Sequence, residues 1–138
     1  MNEVTAEQEA VVEEFAMFDD WMDRYQYLID LGRRLPELDP EERVDDNLVR
    51  GCQSQVWFIA EKAGDRLRFR ANSDAAIVSG LIALLLRIYS DRKPEDILES
   101  RPEFVDRLEL RKHLSSTRSS GLASMLEAIN QFAEDARH

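Results

Sequence analysis

The segment Arg50–Ala71 reads RGCQSQVWFIAEKAGDRLRFRA, and its reading decides the fold class. Val56-Trp57-Phe58-Ile59-Ala60 is a continuous apolar run and predicts a strand over 55–61. Gly64-Asp65 marks a hairpin turn. Beyond it Leu67, Phe69 and Ala71 alternate with Arg66, Arg68 and Arg70, which predicts a second strand over 66–71 with one apolar and one basic face. The arginines read as a solvated sheet face paired with nearby acids. Just before the hairpin, Cys52 stands between Gly51 and the polar run Gln53-Ser54-Gln55, and it is the only cysteine in 138 residues. A cysteine that serves as a small buried hydrophobe is seldom wrapped by glycine and two glutamines. A lone thiol on a glycine-eased turn at the mouth of a strand is a candidate reactive sulfur.

Outward from this segment the apolar period becomes helical. Thr5 and Gln8 have the form of a capping box and predict a helix over 5–15, with Val11 and Phe15 on its inner face. Asp19 or Asp20 can cap a second helix whose apolar face is Trp21, Tyr25, Leu28 and Gly32, ending before Pro36. Pro36 to Asn47 reads as an acidic loop. Ser73 can cap a third helix from Asp74, in its first turn, to about Tyr89. That helix is apolar nearly all round, so it should be buried, and Gly80 in its middle predicts close packing against a neighbour. Pro94 and Pro102 suit the starts of short helices. Ser115, Ser116 and Thr117 offer a cap for a last helix with Leu122, Met125, Leu126, Ile129, Phe132 and Ala133 on one stripe. Helices, a hairpin, then helices describe an α+β domain: a small antiparallel sheet packed against several helices in two layers, with residues 1–138 as one domain.

Composition narrows the function classes. Hydrophobic residues make up 43%, enough for a core. One cysteine forms no intrachain disulfide and suits a reducing compartment. The acidic N-terminus has no basic region followed by an apolar one, and the longest uncharged stretch, Ala75–Leu86, is too short to span a bilayer. These features predict a cytoplasmic protein without a membrane partner. Residues 1–50 carry 15 acidic and 5 basic side chains, while residues 51–138 carry 13 of each. The basic footprint of a nucleic-acid binder is missing. The acidity serves solubility, and an acidic face can also steer the protein to a basic patch on a partner. One cysteine with His113 and His138 falls short of a zinc ligand set. Two rival functions stand at this level. One is a cysteine-nucleophile hydrolase with His113 as base, although nothing in the spacing brings His113 to Cys52. The other is a redox-sensing interaction module oxidised reversibly at Cys52.

Gly51-Cys52-Gln53-Ser54-Gln55-Val56-Trp57 resembles the cysteine motif of the SufE family, which includes the CsdE proteins. The likeness continues in Tyr25–Gly32, Leu35-Pro36, Ser73–Val78, Gly80–Ala83 and Ser116–Leu122, in the family's order and over most of the chain. Thr117 departs from the proline or serine type of start to the last helix. The resemblance implies a protein that accepts persulfide sulfur on Cys52 from a pyridoxal-phosphate cysteine desulfurase of the SufS or CsdA type. It would stimulate that desulfurase and pass sulfur to a SufBCD-like iron–sulfur scaffold. Such a protein is an activator and carrier, not a free-standing enzyme, and the pyridoxal phosphate belongs to its partner, so no cofactor is expected here. The resemblance leaves room for a weak homodimer. The family's fold is in turn similar to that of IscU-type scaffolds. Around the thiol, Gly51, Gln53, Ser54, Gln55, Asp74 and Arg118 are the expected loop and pocket residues, with Arg118 as the positive group and the glutamines and serine bonding the loop or touching the partner. The loop is expected to have two settings, thiol tucked against apolar surface at rest and exposed when docked.

Overall fold

Asn2 opens the first helix, accepting the Thr5 N–H at 2.9 Å on its side-chain oxygen. The expected Thr5–Gln8 capping box does not form, because Gln8 is buried and committed elsewhere. Its amide donates to the Arg101 carbonyl and accepts the Phe104 N–H, both at 3.0 Å. The structure, a computed structural model, describes residues 2–137, so His138 lies outside the described residues. Helix α1 spans Glu3–Phe15 and buries Val4, Val11 and Phe15. Asp20 caps α2, Trp21–Arg33, by accepting the Asp23 N–H at 2.9 Å.

The acidic segment that follows contains two single 3-10 turns, Pro40–Glu42 and Asp45–Asn47. Asn72 fastens it to the hairpin, accepting the Leu38 N–H at 2.6 Å and donating to the Pro36 carbonyl at 3.0 Å. Its backbone therefore has partners although it forms no long element.

Strands β1, Val56–Ala63, and β2, Arg66–Ser73, pair antiparallel with Val56 opposite Ser73 and Ala63 opposite Arg66. The first starts one residue later and ends two residues later than the sequence period suggested, and the second ends two residues later. Gly64 at the turn has φ +65°, a backbone conformation that a side chain resists. Leu67, Phe69 and Ala71 are buried. The arginine face is paired as expected: Arg66 with Glu3 at 2.8 Å, Arg68 with Asp91 at 3.5 Å, and Arg70 with Glu61 at 2.8 Å and also with Glu42.

Helix α3, Ala76–Tyr89, is the buried centre of the molecule. Ile77, Leu81, Ile82, Leu84, Leu85 and Ile88 are all at most 4% exposed. Burying each such side chain contributes about 1.5–3 kcal/mol relative to leaving it in water. The helix starts two residues later than expected and has no side-chain cap, so Asp74 is not in its first turn. Gly80 meets α2 as anticipated. A Cβ there would strike the Leu28 carbonyl, and one at Gly32 would come within 2.6 Å of Gly80 N. The two glycines let the backbones of α2 and α3 touch.

Four helices close the other side: α4, Pro94–Glu99; α5, Glu103–Arg107; α6, Leu110–His113; and α7, Ser116–Ala136. The sequence reading did not anticipate α6. Glu109, at φ 55°, separates it from α5. Ser115 caps α7 by accepting the Arg118 N–H at 3.2 Å. On α7 Leu122, Met125, Ile129 and Ala133 are buried, and Phe132 packs on the Phe69 ring with centroids 6.0 Å apart. The result is the α+β arrangement of a small antiparallel hairpin against helices. No helix among the described residues is long and apolar enough to cross a membrane.

Candidate functional site

The six residues Arg50–Gln55 form a loop with a rigid base. Leu48 bridges to Trp57, and the Val49 N–H donates to the Val56 carbonyl at 2.8 Å, so the chain turns back on itself before entering β1. The far foot of the loop is pinned from β2. Ser73 Oγ donates to the Gln55 carbonyl at 2.7 Å, and Asp74 Oδ1 accepts the Gln55 N–H at 3.1 Å. These bonds explain the late start of α3: the two side chains that looked like a cap serve the loop instead.

The crest rests on α7. Gly51 has φ +91°, and a Cβ on it would run into Ser124 Oγ. One residue on, the Cys52 thiol donates to the Gly121 carbonyl across 3.5 Å. Gly121 is itself buried, and a Cβ there would sit 3.6 Å from Cys52 Sγ. A side-chain carbon there would make only an ordinary van der Waals contact with the sulfur.

Cys52 is half-buried at the wall of a cavity of about 350 Å³. Val78 and Leu81 of α3 and Met125 of α7 make its apolar floor. Gln53, Ser54, Thr117 and Arg118 make its polar rim. Burial pushes the Cys52 thiol up from its ordinary pKa, and no charged neighbour offsets that effect. At rest the sulfur is a protonated, sheltered thiol.

Of the expected residues, Gly51, Gln53, Ser54, Gln55, Asp74 and Arg118 all fall at this loop or its cavity, in different roles. Asp74 is a loop pin. The Gln53, Ser54 and Gln55 side chains make no hydrogen bond among the described residues, so the loop is held by the Gln55 backbone and the Cys52 thiol and not by them. Arg118 lines the same cavity as the thiol, but its guanidinium donates to the Tyr25 hydroxyl and stands 5.9 Å from that ring's centroid. It has no carboxylate partner among the described residues. His113 does not line the cavity. It stacks on Trp21 with centroids 4.3 Å apart and planes 18° apart. Sequence reasoning missed Ser124 and Met125 as site residues.

Fold and site together define an α+β domain that presents one sheltered thiol on a tethered loop. The SufE family pattern, described as an Fe–S metabolism associated domain, matches residues 9–133. The chain belongs to the SufE family. It is 41% identical over 131 residues to a SufE-like protein of Rhizobium meliloti (strain 1021), covering 90% of this chain and 92% of that one. It is 41% identical over 129 residues to a SufE-like protein of Rhizobium etli, covering 90% and 87%. The solution structure of a hypothetical protein from Thermus thermophilus shares the fold, with a TM-score of 0.77 and 22% identity over 94% of this chain and 95% of that one. Among the described residues no group of three His, Cys, Asp or Glu is placed to hold a metal ion.

Proposed function

We propose that this protein is a cytoplasmic sulfur acceptor and carrier, taking persulfide sulfur from a pyridoxal-phosphate cysteine desulfurase onto Cys52 and passing it on for iron–sulfur cluster assembly. The observation that carries the reading is the thiol's seat, a lone sulfur donating to the Gly121 carbonyl beside an apolar cavity, on a loop pinned at its feet and resting on α7 at its crest. A persulfide needs such shelter, because free thiols in solution strip it. The chain acts as an activator of the desulfurase by removing its bound sulfur, and the pyridoxal phosphate stays on that partner.

The transfer balances as an exchange. Cys52 loses its proton to solvent, and the thiolate attacks the outer sulfur of the donor Cys–S–SH. A new S–S bond forms at Cys52, the donor's S–S bond breaks, and the electron pair leaves with the donor thiolate. No external oxidant or reductant takes part. The second step repeats this towards a scaffold of the SufBCD type. At rest the raised thiol pKa keeps the attacking form scarce. Docking lifts the loop, ends the burial that raised the pKa, and brings Arg118, free of any carboxylate, to the developing thiolate.

The hydrolase reading loses its support, because His113 is stacked on Trp21 and lines a different groove from Cys52. Mass spectrometry after mixing with a cysteine desulfurase and L-cysteine tests the proposal. Cys52 should gain the mass of one sulfur atom, and Cys52→Ser should gain none. Oxidation of Cys52 by peroxide that a thiol reductant reverses, with no sulfur uptake and no stimulation, would instead make it a redox sensor.

A further inference from the structure

Trp21, Met22, Tyr25, Gln26 and Ile29 of α2, with His113 of α6, line an apolar groove of about 380 Å³ that the sulfur chemistry does not use. Met22 is 83% exposed, in a chain where charged residues make up 33% and could easily occupy such a position. The stacked Trp21 and His113 rings give the groove a stiff wall. Aromatic and methionine side chains gathered at one exposed site are the composition of a protein-binding surface.

We propose that this groove docks the sulfur-donor desulfurase, which sets into it an apolar side chain flanked by lysine or arginine. The inference rests on the sulfur-acceptor reading above. Two observations choose this occupant. The first is charge. Asp19, Asp20 and Asp23 are exposed beside Trp21 and Met22, and Asp19 and Asp23 have no ion pair among the described residues. The neighbouring guanidinium, Arg24, is turned back on the Phe18 carbonyl at 3.2 Å and lies over the Trp21 ring at 5.8 Å. Lys112 is held by Glu109 at 3.3 Å. Three carboxylates, Asp19, Asp20 and Asp23, outnumber the two guanidinium groups at the rim, Arg24 and Arg118, so the rim keeps a net negative charge that steers a basic surface to it. The second is continuity. Tyr25 lines this groove and its hydroxyl accepts the Arg118 guanidinium, while Arg118 lines the Cys52 cavity. A protein seated in the groove therefore reaches the mouth of the thiol cavity. Its arrival also disturbs the Tyr25–Arg118 contact, which frees a cation that lines the thiol cavity.

The test titrates the wild-type protein, Met22→Asp, and Asp19→Lys with Asp23→Lys into a pyridoxal-phosphate cysteine desulfurase from the same genome. Alanine release from L-cysteine and the Cys52 persulfide mass are read together. The half-saturating concentration should rise roughly tenfold or more for both groove variants, as for loss of a central interface residue. Added salt should weaken the wild type more than the charge-reversed variant. Met17→Asp, which alters a methionine 78% exposed and outside the groove, should match the wild type. Unchanged circular dichroism and melting show that the variants fold. Equal half-saturation in wild type and groove variants overturns the inference while sulfur uptake leaves the acceptor reading standing. Groove variants that alter only self-association, or only delivery to a scaffold protein, also overturn it. A wild-type protein that takes up no sulfur overturns both.

Discussion

The Asp74 carboxylate accepts the backbone N–H of Gln55 at 3.1 Å and so pins the C-terminal foot of the cysteine loop to the end of β2. A side chain that lies 19 residues from Gln55 in sequence thereby ties down the loop that carries Cys52. Asp74→Ala removes the acceptor and leaves Ser73 Oγ as the main remaining side-chain tether. The expected outcome is several-fold faster alkylation of Cys52 by iodoacetamide in the free protein, with a loss of about 1 kcal/mol in folding stability. Asp74→Asn, which keeps an acceptor oxygen, should fall between the two. An unchanged alkylation rate in Asp74→Ala would show that the crest contacts alone hold the loop.

Those crest contacts can be tested separately at Gly51. Its φ of +91° disfavours any Cβ, and that Cβ would also meet Ser124. Gly51→Ala should cost about 1–2 kcal/mol from the backbone alone, and more from the clash. It should also push the loop off α7 and speed alkylation of Cys52. Adding Ser124→Gly relieves the clash and not the backbone strain, so it should restore only part of the stability. Thermal melts of the two variants check this. Full restoration would mean that the backbone conformation at Gly51 relaxes freely.

Burial raises the Cys52 pKa in the folded protein, and this fixes the sign of two pH effects. The unfolded chain has an ordinary thiol, with a pKa of about 8.5. The folded state prefers the protonated form, so this group's contribution to stability is complete below that value and is lost as pH rises through the higher folded pKa. Melting temperature should therefore fall more steeply above about pH 8.5 in the wild type than in Cys52→Ser. The alkylation midpoint of the free protein should lie above that of a model peptide. With desulfurase bound, it should move down. A midpoint that ignores the partner would remove the two-setting loop from the mechanism.

The hairpin and most helix limits were legible because they rest on local rules. The alternation Arg66-Leu67-Arg68-Phe69-Arg70-Ala71 can serve only a half-buried strand, and Asp20 capped α2 as its type predicts. The misreadings share one cause. Thr5 with Gln8, and Ser73 with Asp74, both look like local caps. In the folded chain Gln8 reaches Arg101 and Phe104, and Ser73 and Asp74 reach Gln55. A side chain that can satisfy either a nearby or a distant backbone group does not announce which, because the distant partner exists only once the chain has folded. The same applies to His113, whose stacking on Trp21 no spacing reveals. The thiol was legible from its composition alone, whereas its floor of Val78, Leu81 and Met125 depended on how α3 and α7 come together.

The packing of α3 on α2 depends on two glycines, and the cost of replacing a glycine can be ranked by what its Cβ would touch. Gly80→Ala drives a methyl group into the Leu28 carbonyl, a backbone atom that cannot move without shifting α2. A loss of about 3 kcal/mol is expected, at the upper end for overpacking. Gly64→Ala meets open space and suffers only its φ of +65°, so about 1 kcal/mol is expected. Denaturant melts should reproduce this order. If Gly80→Ala proved the milder change, the contact between α2 and α3 would be looser than the structure shows.

Arg118 and His113 make opposite predictions for the chemistry. Arg118 shares the cavity with Cys52 and is tied only to Tyr25, so it can turn to the thiolate when the loop lifts. A nearby guanidinium favours the charged sulfur and lowers the barrier to attack. Arg118→Ala should slow sulfur transfer to Cys52 roughly tenfold, as expected for one lost charge-assisted contact. Arg118→Lys should recover part of the rate, because the charge returns without the planar fork. Tyr25→Phe separates the resting tie from the role proposed for Arg118 at the thiolate: it releases Arg118 without removing it, so transfer should be kept or increased. His113→Ala should leave the intrinsic transfer rate at saturating desulfurase unchanged, since its ring belongs to the Trp21 stack. Rapid-quench persulfide formation distinguishes these cases. A rate lost in His113→Ala and kept in Arg118→Ala would return the chain to the nucleophile–base reading and remove Arg118 from the site.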